Sequence, residues 1–350
     1  MQKKVALTLT GTICSVIIAV ALLGSGVLFP VSVSAGPTKL SYANFPPAPT
    51  FPCVQMERWA KEVETRTGAK VKIDTYPGGT LLGSKNMMDG VIAGQADIGC
   101  LCMAYQPGRF IVTNATALPV GFPNATVASL VLLDIFEKYK PKEFASVKVL
   151  TMFTCAPANI YSKKPIRNLD DLKGLELRAS GGAAQAVKAL GATPVGMPQP
   201  ETPEALQKGI VKGAASSLEA LMDFKYAELC RYVTIMNGPV YPFAVVMNLN
   251  KWNSLPKDVQ KVMNGLAREQ SAWTGKYMDD HVKKSVAWSK KTYNIEIIEL
   301  PKDEMAQWNR LLEPITAQWI KDAEGAGVPG KKILKDIEIL NEKYSKAYGN

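Results

Sequence analysis

Residues 170–220 read DDLKGLELRASGGAAQAVKALGATPVGMPQPETPEALQKGIVKGAASSLEA, and the punctuation of this stretch sets an alternation of strands and helices. Asn168, Asp170 and Asp171 open a single helical turn that Gly174 closes, 175–179 is extended, and Ser180-Gly181-Gly182 starts a helix running to about residue 190. Residues 193–196 are again extended, and Thr202-Pro203-Glu204 opens a further helix with proline at its first position. Arg178 therefore falls at a strand end, directly before a helix start. A planar guanidinium there can grip both oxygens of a carboxylate or sulfonate, and the free N–H groups of the following helix add partial positive charge. Gly181 and Gly182 remove side chains from the place where a ligand would approach the backbone. The competing role for an arginine at a strand end is an ordinary surface or structural ion pair.

Working outward, the chain starts with Lys3 and Lys4, an apolar run over 13–29 interrupted by Gly24 and Gly26, and Val33-Ser34-Ala35 before Gly36. That order predicts a signal peptide over 1–35, cleaved after Ala35 and directing the protein to the periplasm. The alternative is a retained anchor, but the run falls just short of the ~20 residues that span a bilayer. A mature chain of about 315 residues has the length of two domains with real cores.

Of the +10 formal charge, cleavage removes two. The remaining lysines, such as Lys251, Lys257, Lys261, Lys283 and Lys284, are scattered without the interleaved aromatics of a nucleic-acid platform, so no nucleic-acid partner is expected. Cys100-Leu101-Cys102 lacks a second pair of ligands, and His281 is the sole histidine, so neither a metal nor a cofactor is expected. Cys53 and Cys102 could pair in an exported protein if their strand ends are neighbours; buried free thiols are the alternative.

The segments before and after repeat the alternation. Strands are expected at 39–43, 71–76 and 96–103, the last apolar on both faces as in a sheet covered by helices. Helices are expected at about 53–67 and 85–93. A second unit is expected to begin near Val147, with VKVLTMFTC continuing toward Ile160-Tyr161. After Tyr241, PFAVVMNLNKW reads as a strand returning to the first unit, followed by long helices over 252–293 (broken at Pro256), 303–323 and 333–344. Two α/β units joined by crossing strands leave a cleft between them, where small ligands bind.

Four blocks in this order carry a family likeness: PGGTLLGSKNMMDGVIAGQADIG (77–99), LKGLELRASGG (172–182), KALGATPVGMP (188–198) and EALQKGIVKGAASSLEALMDFKYAELCRYV (204–233). With them the chain resembles the DctP-type extracytoplasmic solute-binding proteins of TRAP transporters, from about residue 39 to 322. The resemblance implies a two-domain, periplasmic-binding-protein-like α/β fold with a hinge, a ligand cleft between the domains and long C-terminal helices. Domain I is expected at 36–155 plus about 244–282, domain II at 156–243 plus about 283–325, and a C-terminal helix or tail at 326–350. It further implies that the chain binds a small organic anion and delivers it to the membrane permease subunits; a monomer is expected, with the helix at 333–344 free to cap its own domain or a partner's. The arginine of the family's KG-x-x-x-R block, which grips the ligand carboxylate, falls on Arg178.

The same resemblance carries other ligand contacts onto Phe45 and Pro46, Met103 and Tyr105, Met197 and Gln199, and the stretch holding Ser216, Ser217 and Glu219; Ser180 adjoins Arg178. For Met103 and Met197 core packing is the equal alternative. Sialic-acid binders of the family have a second arginine where this chain has about Ala158, which argues against a sugar acid. Phe45, Tyr105 and Phe243 instead suit a monocarboxylate with an apolar body, with Arg109 or Arg231 as sources of a second charge if either faces inward. A dicarboxylate, sugar acid or sulfonate in the same fold is the alternative ligand. An exported enzyme acting on a small organic acid is the alternative of another class, and it needs His281 in the cleft. GGTLLGSK at 78–85 lacks the glycine-lysine adjacency of a phosphate loop and is read as a turn plus a helix start.

Overall fold

The computed structural model describes residues 36–349, and the expected signal peptide lies outside them. In chain order the strands are β1 (Thr38–Asn44), β2 (Val71–Tyr76), β3 (Ile98–Cys102), β4 (Val147–Thr154), β5 (Asn159–Ser162), β6 (Glu176–Arg178), β7 (Thr193–Val195), β8 (Gly213–Ser216), β9 (Tyr232–Ile235), β10 (Pro242–Asn248) and β11 (Glu296–Glu299). They form two sheets, ordered β2-β1-β3-β10-β4 and β11-β9-β5-β8-β6-β7. In the first sheet β1 runs parallel to β2 and β3, while β10 returns antiparallel between β3 and β4. In the second, β5 is antiparallel to both β8 and β9, and β6 lies parallel between β7 and β8.

The apolar runs dictate this layering. β3 is buried along its whole length, and β4 and β10 nearly so, which requires cover on both faces. The helices Phe51–Arg66, Ala125–Tyr139 and Lys257–Tyr293 supply it, burying Trp59, Leu132 and Met263 among others. Val149 and Ile98 face these helices from the sheet in one continuous core.

The chain crosses between the sheets at 155–158 and again at 236–241, and these two segments run side by side. Cys155 N donates to Tyr241 O at 3.1 Å, Ala158 N to Pro239 O at 3.2 Å, and Gly238 N to Ala158 O at 2.8 Å. The Asn159 side-chain oxygen accepts from Met236 N at 2.9 Å and Asn237 N at 3.1 Å, satisfying backbone donors that neither sheet reaches. The Lys257–Tyr293 helix, 37 residues long, makes the third connection, packing on β4 before the chain enters β11.

Several expectations need correction. β4 does not start the second unit or continue into 160–161: it belongs to the first sheet, and Cys155-Ala156-Pro157-Ala158 breaks the strand because Pro157 offers no N–H to a ladder. The helix expected at 85–93 is reduced to Met87–Ile92. Cys53, Cys100, Cys102, Cys155 and Cys230 are all free and buried, so Cys53 and Cys102 are not paired. Among the described residues no helix is long and apolar enough to cross a membrane.

Candidate functional site

Arg178 ends β6 with 1% of its surface exposed. Its Nε and Nη2 donate to Met197 O at 3.0 and 2.8 Å, Nη2 reaches Tyr105 Oη at 3.3 Å, and Nη1 approaches Tyr241 Oη at 3.5 Å. The guanidinium carbon lies 5.9 Å from the Tyr105 ring centre and 5.6 Å from that of Tyr241. Every one of these partners is neutral. None of the ion pairs among the described residues includes Arg178, so the ordinary ion-pair role does not apply. Burying a cation with only neutral partners is costly, and an anion arriving beside it offsets that cost.

The guanidinium borders a small cavity of about 30 Å³, room for water rather than for an organic acid, so a ligand of that size enters only when the walls part. Around it come together Phe45, Pro46, Tyr105, Gln199, Ser216, Ser217, Glu219 and Phe243 of the expected residues. Ser180 and Met197 line an adjoining pocket that shares Tyr105; they touch the arginine's surroundings through Met197 O, which also accepts from Ser180 Oγ at 3.4 Å. Met103 lines neither. It is fully buried, and its Sδ accepts from Thr113 Oγ1 at 3.2 Å, so core packing is its role.

One wall is aromatic. Phe243 on β10 stacks on Phe153 with ring centres 5.3 Å apart and planes at 11°, and meets Phe51 edge-on at 5.5 Å. Phe45 lies parallel to Phe243 at 6.4 Å and edge-on to Tyr105 at 5.6 Å. The loop carrying Phe45 is pinned by the Pro77-Gly78-Gly79 turn. Gly78 and Gly79 adopt φ of +73° and +70°, which side-chain-bearing residues resist, and their N–H groups donate to Pro46 O at 2.8 Å and Asn44 O at 2.9 Å. Those donors are used by the chain itself, which removes the phosphate-loop reading.

The rest of the lining is largely polar. Gln199 Nε2 donates to Ser216 Oγ at 2.8 Å, and Tyr161 Oη donates to the carbonyls of Ser216 and Ser217. Glu219 is 3% exposed; burial, reinforced by the neighbouring Asp223 carboxylate, pushes its carboxyl up to about 7. Asp223 Oδ1 is 2.6 Å from His281 Nε2, and that contact raises the imidazole's proton affinity. His281 does not line the cavity.

Three further expectations change. The space above Gly181 and Gly182 is filled by the chain rather than left for a ligand: a Cβ on Gly182 would sit 1.9 Å from Ala117 O, and one on Gly181 2.7 Å from Ala104 Cβ. Arg109 pairs with Asp89 at 2.8 Å, and Arg231 donates to Ala227 O and Tyr293 O, so neither lines the cavity. Arg178 is the one cationic side chain among the residues lining it. Sequence reasoning missed Phe51, Cys155, Phe224 and above all Tyr241, which line the cavity too. Pro239 before Tyr241 signals a loop and says nothing of where a hydroxyl in it will point.

Two sheets joined by paired crossing segments, with a buried arginine and an aromatic wall where they meet, define a two-lobed solute-binding protein. The chain belongs to the DctP family, the bacterial extracellular solute-binding proteins of family 7, whose model matches residues 46–322. It is 57% identical to a TRAP periplasmic solute-binding protein from Desulfovibrio salexigens, whose structure matches with a TM-score of 0.80 over 88% of this chain and 96% of that one; that structure is an open complex with the C-terminus of a symmetry mate in its ligand-binding site. A TRAP solute-binding protein from Rhodoferax ferrireducens in complex with copurified benzoate is 26% identical, with a TM-score of 0.84 over 89% of this chain and 99% of that one. A marine metagenome TRAP solute-binding protein specific for aromatic acid ligands, in complex with 3-hydroxybenzoate, is 28% identical with a TM-score of 0.84 over 89% and 99%.

Proposed function

We propose that this TRAP solute-binding protein captures a small aromatic monocarboxylate, holding its carboxylate on Arg178 and its ring against Phe45, Phe51 and Phe243. The observation that carries the reading is the full burial of Arg178 among neutral partners beside that wall. The benzoate and 3-hydroxybenzoate of the two neighbours, and the peptide C-terminus in the third, each present a carboxylate. Domain I (36–155 and about 244–282) and domain II (156–243 and about 283–325) part and close about 155–158 and 236–241. Closure excludes water and strengthens the guanidinium–carboxylate pair. The loaded protein, a monomer in the periplasm, then passes its ligand to the permease.

A thermal-shift screen across aromatic and aliphatic monocarboxylates, dicarboxylates, sugar acids and sulfonates tests this, because a ligand that binds only the native state raises its melting temperature. Aromatic monocarboxylates are expected to give the largest shifts. A dicarboxylate or hexuronate that outperforms all of them would sink the aromatic monocarboxylate assignment, and turnover of any acid by the isolated protein would sink the transport reading.

A further inference from the structure

The polar part of the cavity lining holds two buried acceptors without a donor, on Glu219 and Gln199, beside the Ser217 hydroxyl, which also has no partner. Glu219, just after β8, is 3% exposed and lines the cavity, and its Oε2 meets no donor. Gln199, also buried, gives its Nε2 to Ser216 Oγ and keeps Oε1 without a partner. A buried acceptor left unpaired costs more than the same group bonded, so these two atoms favour a ligand that brings a hydrogen-bond donor.

The charge behind them narrows the choice. Asp223, one turn along, adds its negative field to Glu219, and its own Oδ1 is turned to His281. A second carboxylate on the ligand would bring only acceptors and a further negative charge. A methyl or bare ring edge would bring nothing. A hydroxyl donates to Gln199 or to Glu219, and it also accepts from Glu219 when that carboxyl carries its proton, so it suits either protonation state.

We infer that Glu219 and Gln199 form a polar subsite that selects, among aromatic monocarboxylates, those carrying a hydroxyl group. The inference rests on the reading of the cleft given above and makes Glu219 a specificity-determining residue within it. A site built to pair a ligand hydroxyl discriminates strongly against the analogue that lacks it, because its own polar groups are then stranded.

Calorimetric titration of the protein with benzoate, the three hydroxybenzoates and the three matching methylbenzoates tests the subsite, the methyl compounds controlling for size. The best hydroxybenzoate is expected to bind at least about tenfold more tightly than both benzoate and its methyl counterpart, and Glu219→Ala to bring that ratio below about threefold. Glu219→Gln, which keeps both a donor and an acceptor, is expected to hold the ratio close to that of the wild type. A methyl compound that matches its hydroxyl partner on the wild-type protein would overturn the subsite, and this comparison does not depend on how any variant folds. So would an unchanged ratio in Glu219→Ala. If neither benzoate nor any substituted benzoate binds, the aromatic carboxylate reading itself fails, whereas tight benzoate binding with no hydroxyl preference removes the subsite alone.

Discussion

The hydroxyl of Tyr241 joins the hinge to Arg178. It donates to Ala215 O on β8 at 2.8 Å, and it stands 3.5 Å from Arg178 Nη1 and 3.4 Å from Ser180 N, the residue before the Gly181–Ala189 helix. One side chain from the 236–241 crossing thus touches a strand, the buried arginine and a helix start of the second sheet. Burial pushes this phenol up to about 12, so it stays a neutral donor throughout the physiological range.

Tyr241→Phe keeps the ring and removes that junction. The Ala215 carbonyl loses its side-chain donor, so stability is expected to fall by about 1–2 kcal/mol. Carboxylate affinity should fall several-fold as well, because the guanidinium loses a positioning contact on its hinge side. Thermal unfolding and titration measure the two effects; a variant identical to wild type in both would show Tyr241 to be a packing residue only.

Arg178 is the second test, and it separates stability from binding. Arg178→Lys supplies a charge without the two-pronged geometry and is expected to lose at least about tenfold in affinity. Arg178→Met removes a buried cation that has no charged partner, so binding should vanish while the unliganded protein melts within a few degrees of wild type. A large loss of stability in Arg178→Met together with intact binding would contradict the assignment.

How far the residues alone foretold this site follows from what local pattern can encode. The β6 strand, the helix after Ser180 and Arg178 between them were legible because caps, glycines and prolines act within a few residues. Phe45 and Phe243 were legible as cleft residues only through the family likeness, since nothing local brings 45 beside 243. The helix Ala125–Tyr139 was not read at all: ATVASLVLLDIFEKY is buried on nearly all sides, so it lacks the polar face that makes a helix visible as a period. Met103 stayed open between core and ligand contact because a buried methionine and a ligand-facing one look alike in sequence. Gly181 and Gly182 were read as room for a ligand, but what approaches them is the chain itself, the Ala104 side chain and the Ala117 carbonyl.

Glu219 predicts a pH dependence with a defined sign. Its folded-state value near 7 lies above the ordinary 4.5, so between those limits the native state keeps a proton that the unfolded state has released. Its contribution to stability therefore falls as pH rises from about 4.5 to 7 and is flat above. The groups around it are Asp223, His281, Cys155 and Tyr161, with Arg178 on the same cavity. The raised imidazole of His281 contributes in the same direction, losing stability as pH rises through its folded value, so the Glu219 part is read as the difference between wild type and Glu219→Gln. An anionic ligand favours the protonated carboxyl, and affinity should weaken above about pH 7 in wild type but not in Glu219→Gln. Parallel pH profiles for the two proteins would remove Glu219 from the titration.

Gly182→Ala tests whether the contact between the two lobes controls capture. A Cβ there would come within 1.9 Å of Ala117 O, a backbone atom that cannot swing aside, so the Gly181–Ala189 helix must retreat from the Thr113–Ala117 turn. The change leaves Arg178 and the aromatic wall untouched. What it removes is the close approach of the two lobes at Ala117, on which the proposed closure and its exclusion of water depend. Small-angle scattering is therefore expected to show the wild type contracting on addition of an aromatic carboxylate while Gly182→Ala stays extended, with affinity lower by about tenfold or more, on the order of 1.4 kcal/mol. Arg178→Lys, by contrast, is expected to lose affinity without changing the dimensions of the unliganded protein. If Gly182→Ala binds and contracts like wild type, closure through this glycine has no part in holding the ligand.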